Sequence, residues 1–144
     1  MFMIPKTIHY CWFGGNPLPE LAQKCLASWK KYCPDYELMR WDESNFDVNC
    51  CDYVREAYAA KKWAFVSDYA RLKALVDFGG VYMDTDMEVL RPIDEFLDNE
   101  AFAGLESRNA ISCGIMGCQK GFVPFAEIME EYNNKHFYRL GGGY

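Results

Sequence analysis

The chain has no excess of basic residues. Its 15 Lys and Arg stand against 21 Asp and Glu, a net charge of −6. With no basic stripe to meet phosphates, this argues against a nucleic-acid partner. No apolar run approaches the length of a membrane-spanning helix. Met1-Phe2-Met3-Ile4-Pro5-Lys6 is broken by Pro5 too soon to form the apolar stretch of a secretory leader. Internal repeats and low-complexity segments are absent. Cysteine is not scarce, but its spacing lacks a zinc pattern: Cys50 and Cys51 are adjacent, and Cys113 and Cys118 have no histidine nearby. Seven cysteines, an odd number, are therefore expected as free thiols in a reducing, cytoplasmic setting. What remains is ordinary in apolar content and rich in aromatics. At 144 residues it suffices for one domain with a proper core.

The chain is organised around residues 67–86. Phe65, Tyr69, Leu72 and Val76 recur at helical spacing and predict one helix over Lys62 to Phe78. Gly79-Gly80 ends it, and Val81-Tyr82-Met83 reads as a short central strand. Strand alternation puts Tyr82, Asp84 and Asp86 on one side and Thr85 on the other. Two carboxylates there can hold a hard divalent cation and leave coordination sites for phosphate oxygens. They would stand beyond the carboxyl end of a strand, where ligands of open α/β sheets sit. On its own, Asp-X-Asp also reads as a solvated turn. Asp68 and Arg71, three apart on the helix, can pair as a structural ion pair.

The whole run, S-D-x-x-R-x-x-x-L-x-x-x-G-G-x-Y-x-D-x-D, stands here as Ser67, Asp68, Arg71, Leu75, Gly79, Gly80, Tyr82, Asp84 and Asp86. It resembles the glycosyltransferases whose sugar-binding region contains the DXD motif. These include bacterial capsular and lipopolysaccharide sugar transferases, yeast-type initiating mannosyltransferases and the glucosylating domain of large clostridial toxins. The resemblance covers roughly residues 4 to 120. It implies an α/β, GT-A-like (Rossmann-like) fold, a mixed sheet flanked by helices. Residues 1–144 would form a single nucleotide-sugar-binding domain, the donor half, with the C-terminal part short or truncated.

The rest of the chain is read in order. Thr7 to Phe13 is a strand with His9, Cys11 and Phe13 on one side and Ile8, Tyr10 and Trp12 on the other. His9 is expected to be structural. The segment from Ile8 to Gly15 is similar to the family's opening strand, which implies that Trp12 stacks on the base and that Cys11 lies beside the substrate. On residues alone, a core tryptophan is the favoured reading of Trp12. Pro19 to Tyr32 is a helix with Leu21, Cys25, Leu26 and Trp29 inward, and Tyr36 to Trp41 is a second strand. The family places a polar residue of the following loop on the nucleotide, here Asn45. Tyr53 to Ala60 reads as a short helix, followed by Trp63, which is either a core residue or a wall against the base. Met87 to Leu90 reads as a brief strand, where Glu88 continues the alternation of Asp84 and Asp86 and is read as solvated or as supporting a metal ligand, in preference to reaching the metal itself. Ile93 to Leu97 is a helical turn, Ala101 to Leu105 and Ile111 to Cys118 are strands, and Phe125 to Tyr138 is a closing helix before Leu140 to Tyr144. Asn109 matches the family's asparagine near the donor sugar.

The resemblance thus implies a hexosyltransferase that moves a sugar from a UDP- or GDP-sugar to a glycan hydroxyl, with retention, in capsule, lipopolysaccharide or other surface-glycan synthesis. Asp84, Asp86 and Arg71 would be catalytic, with Mn²⁺ or Mg²⁺ on Asp86 and Asp84. Cys11, Trp12, Asn45, Trp63, Asp68, Arg71, Tyr82, Asp84 and Asn109 would contact the substrate. Peripheral association with the inner face of a membrane stays open, although no basic amphipathic helix supports it. Two alternatives also stay open: a donor-binding fragment without transfer, and an interaction protein in which Asp-X-Asp is a plain turn.

Overall fold

The computed structural model describes residues 3–138; the expected tail Leu140 to Tyr144 lies outside the described residues. In chain order the elements are β1 (Thr7–Cys11), α1 (Glu20–Tyr32), β2 (Glu37–Trp41), α2 (Asp52–Ala59), α3 (Trp63–Phe78), β3 (Gly80–Met83), a 3-10 turn (Asp94–Phe96), β4 (Ala101–Ser107), β5 (Ala110–Cys118) and α4 (Val123–Asn133). They build one five-stranded sheet in the order β2-β1-β3-β5-β4. β1 runs parallel to β2 and β3, whereas β5 runs antiparallel to both β3 and β4. This is the mixed sheet flanked by helices expected from the sequence.

Alternation along the strands sorts side chains into two layers. Ile8, Tyr10, Val81 and Met83 pack with Leu26 and Trp29 of α1. Cys11, Tyr82, Met116 and Cys118 pack on the other face with Val54 of α2 and Val66, Tyr69, Leu72 and Leu75 of α3. α3 is buried more widely than its expected stripe: Val66, Ala70, Ala74 and Leu75 join Tyr69 and Leu72, whereas Phe65 and Val76 are half-buried. A helix wedged between a sheet and two other helices needs apolar residues on more than one side.

Gly79 and Gly80 fix how α3 passes into β3. Their φ angles are 69° and 116°. A Cβ on Gly79 would lie 2.7 Å from the Lys120 backbone nitrogen, and one on Gly80 would lie 2.7 Å from the Thr7 carbonyl oxygen. Both the backbone angle and the available space therefore require glycine. Beside them His9 is fully buried, with Nε2 2.8 Å from the Gly79 carbonyl oxygen, while Trp41 Nε1–H donates to Nδ1 at 3.0 Å. Nδ1 must accept, so the proton is on Nε2 and the ring is neutral. Burial lowers its pKa despite the Gly79 hydrogen bond. This is the structural role the sequence suggested.

Several expected boundaries differ. β1 ends at Cys11, so alternation lapses before Trp12. Leu21 is exposed, and Ala22 takes its place on the inner face of α1. Residues 87–90 are not a strand, because α1 side chains occupy their backbone groups: Trp29 Nε1–H donates to the Met87 carbonyl, and the Val89 N–H donates to Ser28 Oγ. α4 starts earlier than expected, with Pro124 in its first turn, where the missing N–H costs nothing. It stops at Asn133, and Asn134 Nδ2 donates to the Glu130 carbonyl that the next turn would have used.

Candidate active site

A cavity of about 400 Å³ opens beyond the carboxyl ends of the parallel strands β1 and β3. Such a position is typical of ligand sites in α/β sheets. The end of β1 supplies Cys11, Trp12 and Phe13, and the following loop supplies Asn16. The first turns of α3 supply Trp63, Ala64, Ser67 and Arg71. β3 and the turn after it supply Tyr82, Asp84, Thr85 and Asp86.

The turn accounts for a difference from strand alternation. β3 ends at Met83, and the Met87 N–H donates to the Asp84 carbonyl at 3.0 Å. Asp84, Thr85 and Asp86 therefore all border the cavity, and Thr85 does not face away.

Charge concentrates on one network. Arg71 Nη2 donates to Asp68 Oδ1 at 2.8 Å and lies 3.8 Å from Asp84 Oδ1. Its Nη1 donates to the Cys113 carbonyl at 2.7 Å, and the guanidinium lies 5.0 Å from the Tyr82 ring centroid. The Tyr82 hydroxyl donates to Asp84 Oδ1 at 2.8 Å. Burial pushes the Tyr82 hydroxyl well above its ordinary value, so it stays a donor. Burial also raises the Asp84 carboxyl, against the pull of Arg71 and Tyr82, and raises Asp68 against the pull of Arg71. The buried Cys11 thiol is pushed up to about 12, which leaves it neutral. Asp86 is exposed, and among the described residues no side-chain hydrogen bond or ion pair engages its carboxylate.

The aromatic part is held from outside. Trp12 Nε1–H donates to the Asn16 carbonyl at 2.6 Å. Glu43 accepts the Gly14 N–H at 2.7 Å and the Tyr58 hydroxyl at 2.9 Å, and the Tyr58 ring lies 5.1 Å from Trp63. Glu43 thus links the loop after β1 to the start of α3.

Of the residues singled out from the sequence, Cys11, Trp12, Trp63, Arg71, Tyr82, Asp84 and Asp86 are brought together on this cavity. Asp68 borders a second cavity of about 220 Å³, shared with Arg71, Leu72, Cys113, Met116, Ile128 and Tyr132. Asn45 and Asn109 lie elsewhere. Asn45 closes the turn after β2, with Nδ2 donating to the Arg40 carbonyl and Oδ1 accepting the Asp42 N–H. Asn109 sits in the β4–β5 turn and borders neither cavity. Glu88 points to Lys24 of α1, 4.0 Å away, and not to the carboxylate pair. Glu43, Asn16, Cys113 and Tyr132 also belong to the site's surroundings and are not evident from the sequence: Glu43 lies in the loop expected to make a polar contact, and the other three carry no local signal.

Comparison with known proteins adds a family. The model of the "Glycosyltransferase sugar-binding region containing DXD motif" matches residues 19–103, more than half of the chain. That span includes Asp68, Arg71, Asp84 and Asp86 but not β1 or Asn109. The chain is 32% identical over 126 residues to inositol phosphoceramide mannosyltransferase 3 of Schizosaccharomyces pombe, a match covering 85% of this chain and 35% of that protein. It is 35% identical over 77 residues to a human alpha-1,4-N-acetylglucosaminyltransferase, covering 53% of this chain and 22% of that one. The chain thus spans about a third or less of these relatives' length. The solved PaToxG glycosyltransferase shares the fold with a TM-score of 0.72 at 17% identity, covering 98% of this chain and 66% of that one.

Proposed function

We propose a function on one premise: the chain belongs to the glycosyltransferase family whose sugar-binding region contains the DXD motif. It binds a nucleotide-diphosphate sugar, UDP- or GDP-linked, and transfers the sugar to a hydroxyl acceptor. The observation that carries this reading is that Asp84, Asp86 and Arg71 converge on a cavity that Trp12 and Trp63 also line.

The tryptophans give the base flat apolar walls, and the neutral Cys11 thiol packs beside them. Arg71 has five N–H groups, of which Nε, one on Nη1 and one on Nη2 are engaged. The others remain for phosphate oxygens, where guanidinium recognition is strong. Asp68, in the adjoining cavity, accepts hydroxyls of the transferred sugar. Tyr82 fixes one Asp84 oxygen and leaves Oδ2 free of a side-chain hydrogen bond among the described residues.

Two carboxylates fit a divalent cation in part. Among the described residues no cluster of three or more His, Cys, Asp or Glu forms a complete cage. Asp86 and Asp84 would therefore hold Mn²⁺ or Mg²⁺ only together with donor phosphate oxygens and water. When bound, that ion supplies Lewis-acid stabilisation of the leaving diphosphate. The proposed outcome is retention, and no side chain is assigned as a nucleophile.

The relatives' names divide between mannosyl and N-acetylglucosaminyl transfer, so GDP- and UDP-sugars both enter the test. The proposed acceptor is a surface glycan or glycolipid hydroxyl, reached from the cytoplasmic side. No helix among the described residues is long and apolar enough to cross a membrane.

The experiment is diphosphate release from donor with Mn²⁺, with and without acceptor alcohols, in the native chain and in Asp86→Ala. The variant is expected to lose about 100-fold or more. Undiminished turnover in it would sink the metal assignment. Donor binding without release in the native chain would mark a donor-binding unit.

A further inference from the structure

The β4–β5 pair loses register beside the cavity. Ala103 stands opposite Met116, yet Gly104, the next residue of β4, stands opposite Ser112. Cys113, Gly114 and Ile115 are thereby bulged out of the ladder with β4, while Ile115 keeps its place opposite Met83 of β3. Bulges re-aim groups near sites.

Here the bulge aims two carbonyls. That of Cys113 accepts Arg71 Nη1–H at 2.7 Å, and that of Gly114 accepts the Asp84 backbone N–H at 2.8 Å. Ser112 Oγ accepts the Gly114 N–H at 3.1 Å and holds the bulge in shape. Gly114 is buried, and its φ is not in the left-handed region, so its backbone conformation does not require glycine. What it provides is room. A Cβ there would lie 3.3 Å from Asp84 Oδ2, 3.2 Å from Ser112 Oγ and 3.4 Å from Met87 Sδ. Oδ2 is the Asp84 oxygen that Tyr82 does not take.

We propose that Ser112-Cys113-Gly114 is a positioning element of the donor site. It orients Arg71 and Asp84 through backbone carbonyls, and Gly114 keeps clear the Oδ2 face of Asp84 that a cation or a donor oxygen would use. This positioning rests on the donor-site reading above, yet it can be tested without metal.

The test uses the 144-residue chain with Gly114→Ala, Ser112→Ala and Ser112→Thr. ¹H–¹⁵N NMR of the metal-free chain follows the Arg71 guanidinium, whose Nη1–H the Cys113 carbonyl holds, and electron paramagnetic resonance follows Mn²⁺ binding. Gly114→Ala is expected to move the Arg71 guanidinium resonance and weaken Mn²⁺ about ten-fold, in line with losses of ligand-orienting partners. Its melting temperature should fall by about 5 °C or less. Ser112→Ala is expected to move the resonance less, and Ser112→Thr, which keeps the hydroxyl, to restore it. An Arg71 resonance unmoved in Gly114→Ala and Ser112→Ala overturns the proposal. A native chain that binds no Mn²⁺ overturns the metal reading instead, while the Arg71 resonance still decides the positioning. If Gly114→Ala does not fold, the Ser112 pair decides alone.

Discussion

The two halves of the sheet serve the cavity in different ways. The parallel half, β2-β1-β3 with α3, contributes side chains: Trp12, Trp63, Arg71, Asp84 and Asp86. The antiparallel half, β5-β4, contributes backbone to the same charged network, the carbonyls of Cys113 and Gly114 on Arg71 and Asp84. Chemistry that resides in side chains is written in residue types. Chemistry that resides in backbone placement depends on how a ladder slips, and the carbonyls that carry it are common to every residue type. The first kind can be read from a sequence, whereas the second has to be seen.

Substitutions can break or sharpen this contrast. The largest effect belongs to the parallel half: Asp86→Ala should lower diphosphate release about 100-fold or more, read in steady-state kinetics with Mn²⁺. The joint between the halves comes next. Gly79→Ala pushes a Cβ against the Lys120 backbone of the antiparallel side, and Gly80→Ala pushes one against Thr7 of β1. Each should cost about 2–3 kcal/mol in denaturant unfolding through left-handed strain and contact together. Equal stability of both variants with the native chain would show that the halves are not locked there.

Arg71 bridges the halves, so Arg71→Lys should lose about ten-fold in kcat/KM, because an ammonium cannot serve Asp68 and the Cys113 carbonyl in one plane. A smaller effect comes from His9, which is buried and neutral. Its folded pKa lies below its unfolded one, so its contribution is complete above about pH 6.5 and fades as the pH falls below that value. The slope from this one proton cannot exceed about 1.4 kcal/mol per pH unit. Melting temperature should thus decline from pH 7 to 5.5, and less so in His9→Gln. Smallest of all, Asn45→Ala should cost about 1 kcal/mol through its turn bonds to Arg40 and Asp42 and leave donor affinity as it was. A weakened donor affinity there would restore the nucleotide contact that the sequence suggested.

Legibility followed the same division. The helix over 63–78, the glycine stop and the short strand before the carboxylates are plain in the sequence, because periodicity and glycine act locally, whereas the turn that holds Asp84 to Asp86 is not. Leu21 falls on the apolar stripe the sequence predicts, yet burial of α1 is set by which face meets the sheet, and there the small Ala22 fits. Met87 to Leu90 has strand-forming residues, but Trp29 and Ser28, distant in sequence, claim its backbone groups. The expectations for Asn45 and Asn109 rest on the family resemblance in loops, and loops carry no period to check such a match. The slip between Ala103 and Gly104 leaves no mark in residue type beyond the glycines themselves.

The central claim is that the carboxylate pair and the two tryptophans form one donor site that needs metal and nucleotide together. The most direct measurement is a thermal-shift panel of UDP- and GDP-sugars on the native chain, each with Mn²⁺ and with EDTA. The account predicts a rise in melting temperature only when nucleotide and Mn²⁺ are both present. At a hundred times the dissociation constant it corresponds to about 2.7 kcal/mol of added stability. No shift with any donor, or a shift that persists unchanged in EDTA, would contradict it.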